Sequence, residues 1–183
     1  SRGGVKLSGA LEQYPIGLED HVCVDVGAST GGFTEVLLAN GASLVYAIDV
    51  GRGQLHPSLQ GNPKIVSMEE TDIRSLAGRR LEIRPDVVVI DVSFISLKLV
   101  LPAVLPLAAA PMHLLALIKP QFEAGREHVG KGGLVKDPET IARVQREIIA
   151  FFEEADWTVM GQAESPIPGG DGQVESLIWA RRQ

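Results

Sequence analysis

An acid two residues ahead of a loop of small side chains is the spacing in this chain with the clearest chemistry. It lies in Val24-Asp25-Val26-Gly27-Ala28-Ser29-Thr30-Gly31-Gly32-Phe33-Thr34. A short apolar run ends at Val26, and an apolar-periodic stretch follows from Phe33 through Val36, Leu37 and Leu38. That order reads as strand, tight turn and helix N-terminus. Small side chains let a ligand reach the backbone, and a helix N-terminus offers free N–H groups. The chemistry is the binding of a nucleotide-like cofactor. A dinucleotide fingerprint requires G-x-G-x-x-G. The spacing here is Gly27-x-x-x-Gly31-Gly32, which disfavours a nicotinamide-linked oxidoreductase. With Asp25 ahead of the first glycine, the loop suits a zwitterionic amino-acid tail and a sulfonium better than a pyrophosphate.

Three more acids follow successive apolar runs. Asp49 ends the second, Asp72 follows the third and Asp91 ends the fourth. An acid after the second strand is placed to accept from both ribose hydroxyls. Asp72 is placed to accept from an adenine amino group, and Asp25 to orient the loop and balance a cationic ligand. Each acid alone reads as a turn or cap residue. The ordered set at strand ends favours a site. Lys119 directly follows the apolar run Leu114–Ile118 and projects at the mouth of that site. Glu175, inside the apolar strand near the C-terminus, needs a partner or a function. Lys6 alone reads as a surface lysine.

The elements that must position these residues alternate. Strands are expected at His21–Val26, Leu44–Asp49, Lys64–Met68, Asp86–Asp91 and His113–Ile118. Helices are expected between them at Gly32–Asn40, near Gln54–Leu59 and at Ile95–Leu107. A long helix from Pro138 to Ala155 keeps Ile141, Val144, Ile148, Ile149 and Phe152 on one face. Asp137 caps it, with Pro138 at its first position. Strands Trp157–Glu164 and Gln173–Ala180 have only loop chemistry between them, so they pair antiparallel. The result is an α/β fold, a Rossmann-like, seven-stranded, mostly parallel sheet with an antiparallel C-terminal hairpin.

Composition sets the outer bounds. The 183 residues are 45% hydrophobic, which suits one domain with a full core. The single Cys23 excludes a disulfide framework and a cysteine-based zinc site, and it reads as a small buried residue in a cytoplasmic protein. The net charge of -6 is not that of a self-sufficient nucleic-acid binder. Leu97 to Ile118 is apolar, but Lys98, His113, Pro102, Pro106 and Pro111 interrupt it. A helix followed by a strand is expected there rather than a membrane span.

The chain resembles the hemolysin A-like (TlyA-type) branch of the FtsJ-like ribose 2'-O-methyltransferases. The matching segments are Ser1–Leu7 (SRGGVKL), Asp25–Thr34 (DVGASTGGFT), Asp91–Ser96 (DVSFIS), Ile118–Glu123 (IKPQFE), Gly130–Asp137 (GKGGLVKD) and Gly172–Glu175 (GQVE). The resemblance implies S-adenosyl-L-methionine as cofactor and no metal. It implies a Lys-Asp-Lys-Glu tetrad at Lys6, Asp91, Lys119 and Glu175, with Lys119 as base. The implied cofactor contacts are Asp25, Gly27, Ala28, Ser29, Thr30, Gly31, Gly32, Phe33, Asp49, Asp72 and Asp91. The implied substrate is ribosomal RNA or a ribosomal subunit, methylated on a cytidine ribose.

Such chemistry is physically reasonable, because a 2'-hydroxyl is a poor nucleophile and needs a base and in-line alignment. A lysine takes a proton only as the neutral amine, which burial and a neighbouring cation favour. The family carries a basic S4 RNA-binding domain ahead of the catalytic domain. Residues 1–20 are therefore expected to be a linker and lead-in helix from an S4-like domain absent from this chain, and 21–183 the methyltransferase domain. Departures from the family pattern are Gln173 for asparagine, Asp72 for asparagine and Glu70 for arginine. The locally basic loop Lys119 to Lys136 is a candidate to meet RNA phosphates. A base N-methyltransferase would carry two prolines after the fourth strand that Asp91-Val92-Ser93-Phe94 lacks. A membrane-active hemolysin is disfavoured, since the sequence has no uninterrupted apolar span.

Overall fold

Short runs of β-branched and aliphatic residues form one seven-stranded sheet, as their hydrophobic patterning demands. The computed structural model describes residues 1–77, 79, 81–107 and 111–183. Its strands are β1 (Val22–Val26), β2 (Leu44–Ile48), β3 (Ile65–Met68), β4 (Val87–Ile90), β5 (Met112–Ile118), β6 (Thr158–Glu164) and β7 (Ser176–Arg182). They lie in the order β3-β2-β1-β4-β5-β7-β6. Strands β1 to β5 run parallel, and β7 is antiparallel to both β5 and β6.

The alternation of side chains builds two cores. Val87 and Val89 of β4 face one side, with Leu115 and Leu117 of β5. There they meet α1 (Arg2–Gln13) through Leu7 and Ala10, and α2 (Gly32–Ala39) through Phe33 and Leu37. Val88 and Ile90 face the other side, toward α3 (Leu97–Val104) and α4 (Pro138–Glu154). Leu101 and Val104 of α3 and Val144, Ile148 and Phe152 of α4 close that core. The expected stripe on the long helix is largely seen: Val144, Ile148 and Phe152 are buried, while Ile141 and Ile149 are partly buried at its border.

The chain leaves β1 on one side to form β2 and β3, then returns to its other side as β4. Open α/β sheets place their ligand crevice at this reversal, beyond the carboxyl ends of the strands. The Gly27 loop and Asp91 therefore meet at it, with Gly27 packed against the Asp91 carbonyl.

Most expected boundaries move by at most one residue, and three elements differ more, for physical reasons. The helix expected near Gln54–Leu59 is a 3₁₀ turn, Pro57–Leu59, capped by His56. The helix expected at Ile95–Leu107 starts at Leu97, where the Ser96 hydroxyl accepts from Lys98 N–H, and its last residues form the 3₁₀ turn Leu105–Leu107. The last strand begins at Ser176 rather than Gln173, so Glu175 sits one residue ahead of β7 instead of inside it. The apolar stretch Leu97 to Ile118 is α3 followed by β5, its residues 108–110 lying outside the described residues. No helix among the described residues is long and apolar enough to cross a membrane.

Candidate active site

The glycines of the first loop are required by contact. Gly27 has φ +82°, and a Cβ there would lie 2.1 Å from the Asp91 carbonyl oxygen. Gly31 has φ +96°, and its Cβ would lie 2.4 Å from Leu59 Cδ1. At Gly27 the clash is with backbone and admits no Cβ; at Gly31 the left-handed backbone disfavours any L residue, while the leucine side chain could shift. The N–H groups of Gly27 and Ala28 both donate to the Ile48 carbonyl, at 2.9 and 3.0 Å, which ties the loop to β2.

Asp25 lies beneath this loop, fully buried. Thr34 Oγ1 donates to its Oδ2 at 2.7 Å, and Oδ1 has no partner. Burial pushes its carboxyl pKa up to about 7; the Thr34 hydrogen bond opposes this, and the charges of Asp91 and Asp49 reinforce it. Asp25 thus orients the start of α2 through Thr34. It borders neither cleft described next.

A cleft of about 1070 Å³ opens over the carboxyl ends of β1, β2 and β4. Gly27, Ser29, Asp49, Asp72 and Asp91 line it. A smaller pocket of about 190 Å³ adjoins it between Ala28, Ser29, Thr30, Gly32, Phe33 and Asp91, closed by the N-cap Ser1 and by Arg2 and Gly3 of α1. Of the expected cofactor contacts, only Asp25 and Gly31 lie outside both walls. Asp49 is held by two backbone donors, Ser29 N–H to Oδ1 at 3.1 Å and Gly51 N–H to Oδ2 at 2.8 Å. Each carboxylate oxygen keeps capacity for a second donor, as two ribose hydroxyls require. Asp72 caps the 3₁₀ turn Ile73–Leu76 and pairs with Arg74 Nη2 at 2.7 Å. The hydrogen bonds from Arg74 hold its carboxyl below the usual carboxylate range.

The four residues expected as a tetrad form two ion pairs. Lys119 Nζ lies 2.6 Å from Asp91 Oδ1 and donates to Ser93 Oγ at 3.0 Å. Lys6 Nζ lies 2.8 Å from Glu175 Oε1. Strand register sets both pairs at one end of the sheet. Ile90 of β4 pairs with Ala116 of β5, and Ile118 of β5 with Ser176 of β7. Asp91 and Lys119 thus follow β4 and β5 directly, and Glu175 directly precedes the antiparallel β7, at the same end of three adjacent strands. Lys6 is almost fully buried, so the surface reading of that lysine fails. It sits on the face of α1 that also buries Leu7 and Ala10, and α1 is docked on the loop before β7. There Arg2 Nη2 donates to the Pro168 carbonyl, and Gly9 abuts Pro166. A Cβ at Gly169 would lie 2.5 Å from Glu175 Oε2, so the same loop seals the pair.

Two aromatic residues on this surface were quoted from sequence only as members of motifs, Phe94 and Phe122. Phe94 has φ +64° and is 90% exposed. Its ring meets Phe122 with centroids 5.0 Å apart, and both line the large cleft. Arg126 lines it too. Phe94 was legible as the aromatic after the fourth strand. Its left-handed backbone was not, because phenylalanine rarely adopts that region. The Gln173 substitution has a clear role. Its buried amide accepts from Val135 N–H at 2.8 Å and donates to the Val135 carbonyl at 2.9 Å. It fastens the basic loop to the residues leading into Glu175. Arg126, Lys131 and Lys136 of that loop are exposed.

The pattern of the FtsJ-like methyltransferases matches residues 1–182. The chain belongs to that family. The methyltransferase is 47% identical over 183 residues to the 16S/23S rRNA (cytidine-2'-O)-methyltransferase TlyA of Mycobacterium tuberculosis, covering 100% of this chain and 68% of that protein. It superimposes on a crystal structure described as a hemolysin from Lactococcus lactis with TM-score 0.96 and 41% identity, covering 100% of this chain and 88% of that one. An S-adenosylmethionine-dependent methyltransferase from Listeria monocytogenes shares the fold at TM-score 0.72 and 16% identity, each chain covered completely. S-adenosylmethionine is the cofactor of the methyltransferase. The donor set fits it: a side-chain-free approach at Gly27 and an acid with two free acceptor positions at Asp49. No cluster of three metal-ligating side chains occurs among the described residues.

Proposed function

We propose that this enzyme methylates the 2'-hydroxyl of a cytidine ribose in ribosomal RNA, with Lys119 as the base. The observation that carries the chemistry is the Lys119 amine, 2.6 Å from Asp91 Oδ1, where Asp91 borders both parts of the cleft. The substrate rests on the likeness to the TlyA protein, whose name states 16S/23S rRNA cytidine 2'-O-methylation.

Bound S-adenosylmethionine supplies an electrophilic methyl carbon. The residues of the chain supply position and proton transfer. In this reading the Lys119 amine takes the hydroxyl proton as the oxygen becomes nucleophilic. The ammonium so formed lies against the Asp91 carboxylate, an interaction strongest once charge has developed. Ser93 Oγ accepts from the amine and fixes its direction. Lys6 and Glu175 hold a neutral, buried pair beside them and keep added charge out of the site. Phe94 presents an open ring on which a base can stack. Arg126, Lys131 and Lys136 offer cations to phosphates.

Methylation of ribosomal RNA with labelled cofactor, followed by nuclease digestion, tests the reading. A nuclease-resistant dinucleotide carrying the label is expected, since a 2'-O-methyl group blocks cleavage of the adjacent phosphodiester. Label on a base with an ordinary sugar would replace this reading with N-methylation.

A further inference from the structure

Two segments carry the Lys119–Asp91 pair, and each is a short irregular connection with little regular structure of its own. One runs from Asp91 to Ser96, between β4 and α3. The other runs from Lys119 to Glu123 and contains the 3₁₀ turn Pro120–Phe122. They are joined by three contacts in order. At the strand end, Lys119 meets Asp91 and Ser93. In the middle, the rings of Phe94 and Phe122 meet. At the far end, both carboxylate oxygens of Glu123 are used: Ser96 Oγ donates to Oε2 at 2.5 Å and Leu97 N–H donates to Oε1 at 2.7 Å.

The third contact has an unusual form. Ser96 is the N-cap of α3 and accepts from Lys98 N–H at 3.1 Å. Glu123 adds a second cap from across the gap, 26 residues from Leu97 along the chain. Orphan N–H groups at a helix start favour a carboxylate, and such charge-assisted bonds are short and strong. α3 itself is anchored in the core by Leu97, Val100, Leu101 and Val104. The cap therefore moors the Lys119 segment to a rigid element. Asp91 is fixed at the other end by its N–H, which donates to the Val26 carbonyl at 2.9 Å. With both ends held, the distance between Lys119 and Asp91 has little freedom.

We propose that Glu123 is a positioning residue for methyl transfer: its double cap on α3 holds the Lys119 turn against the Asp91 loop, and so sets the direction of the Lys119 amine. The inference rests on Lys119 acting as the base. Glu123 touches neither cofactor nor substrate in this role. Its removal lets the turn drift, and a misplacement of about 1 Å at a reacting group can cost on the order of a hundredfold in rate.

The test is transfer kinetics on ribosomal RNA with Glu123→Ala, Glu123→Gln and Ser96→Ala, beside Lys119→Ala, with cofactor affinity measured by calorimetry on each. Glu123→Ala should lower kcat by about ten- to a hundredfold with the cofactor Kd unchanged within about threefold. Glu123→Gln retains an acceptor for Leu97 N–H and should restore most of the rate. Ser96→Ala, which leaves the core untouched, should lower kcat in the same direction if Glu123→Ala fails to fold. Wild-type kcat in folded Glu123→Ala or Ser96→Ala, or a loss confined to cofactor affinity, would overturn the positioning role. If Lys119→Ala also transfers at the wild-type rate, the base assignment itself falls. If Lys119→Ala is inactive while the other variants are normal, only the role of Glu123 falls.

Discussion

Lys6 and Glu175, 169 residues apart in the chain, form an ion pair 2.8 Å long with side chains only 7% and 3% exposed. A helix from the first residues and the approach to the last strand are thereby joined beneath the candidate site. Removing one partner leaves a buried charge without compensation, at a cost of about 3–5 kcal/mol. Lys6→Ala should lose stability of that order in urea unfolding. A loss under about 1 kcal/mol would mean that water reaches the remaining Glu175 carboxylate.

Gly27 approaches the Asp91 carbonyl more closely than any side chain allows. Gly27→Ala must push the cofactor loop away from the end of β4 and strain a backbone held at φ +82°. Calorimetry with S-adenosylmethionine should show affinity reduced at least about tenfold. Wild-type affinity would show that the loop can shift without disturbing the cleft.

Asp25 gives the cofactor-free protein a pH signature. Its native pKa is pushed up to about 7, against about 3.9 in an unfolded chain. Between those values the native state holds a proton that the unfolded state has released. Stability therefore falls as pH rises through this window, by up to about 4 kcal/mol from this group. Asp25→Asn keeps an acceptor for Thr34 and cannot ionise. It should match the wild type near pH 4 and exceed its stability at pH 8. Equal slopes of stability against pH for the two proteins would contradict the assignment.

Gln173 pairs its amide with both polar groups of the Val135 backbone. Gln173→Leu leaves these buried groups unsatisfied, at about 1–3 kcal/mol each. The basic loop should open more often, so limited trypsin digestion should cut at Arg126, Lys131 or Lys136 faster than in the wild type. Unchanged cleavage would show the loop is held elsewhere.

The strand and helix order was legible because burial on both faces of the sheet leaves near-continuous apolar runs, such as Val87–Ile90 and Met112–Ile118. Asp49, Asp91 and Lys119 were legible as candidates for the same reason, since each follows such a run directly. Lys6 was not, because only docking of α1 onto the Pro166–Gly169 loop buries it. Resemblance to a family, rather than local pattern, pointed to that residue. Glu123 lay inside a quoted motif, yet its work depends on a helix start 26 residues away. No spacing rule reaches such a cap. Phe94 was visible as an aromatic, while its exposure follows from a left-handed backbone that residue type does not announce.

In the proposed reaction the Lys119 amine takes the proton of the ribose hydroxyl. Methyl transfer from labelled S-adenosylmethionine to ribosomal RNA by Lys119→Ala measures it directly. Base removal typically costs about 10²–10⁴-fold in rate. The variant should lose transfer on that scale while binding the cofactor as the wild type does. Transfer at the wild-type rate would contradict Lys119 as the base.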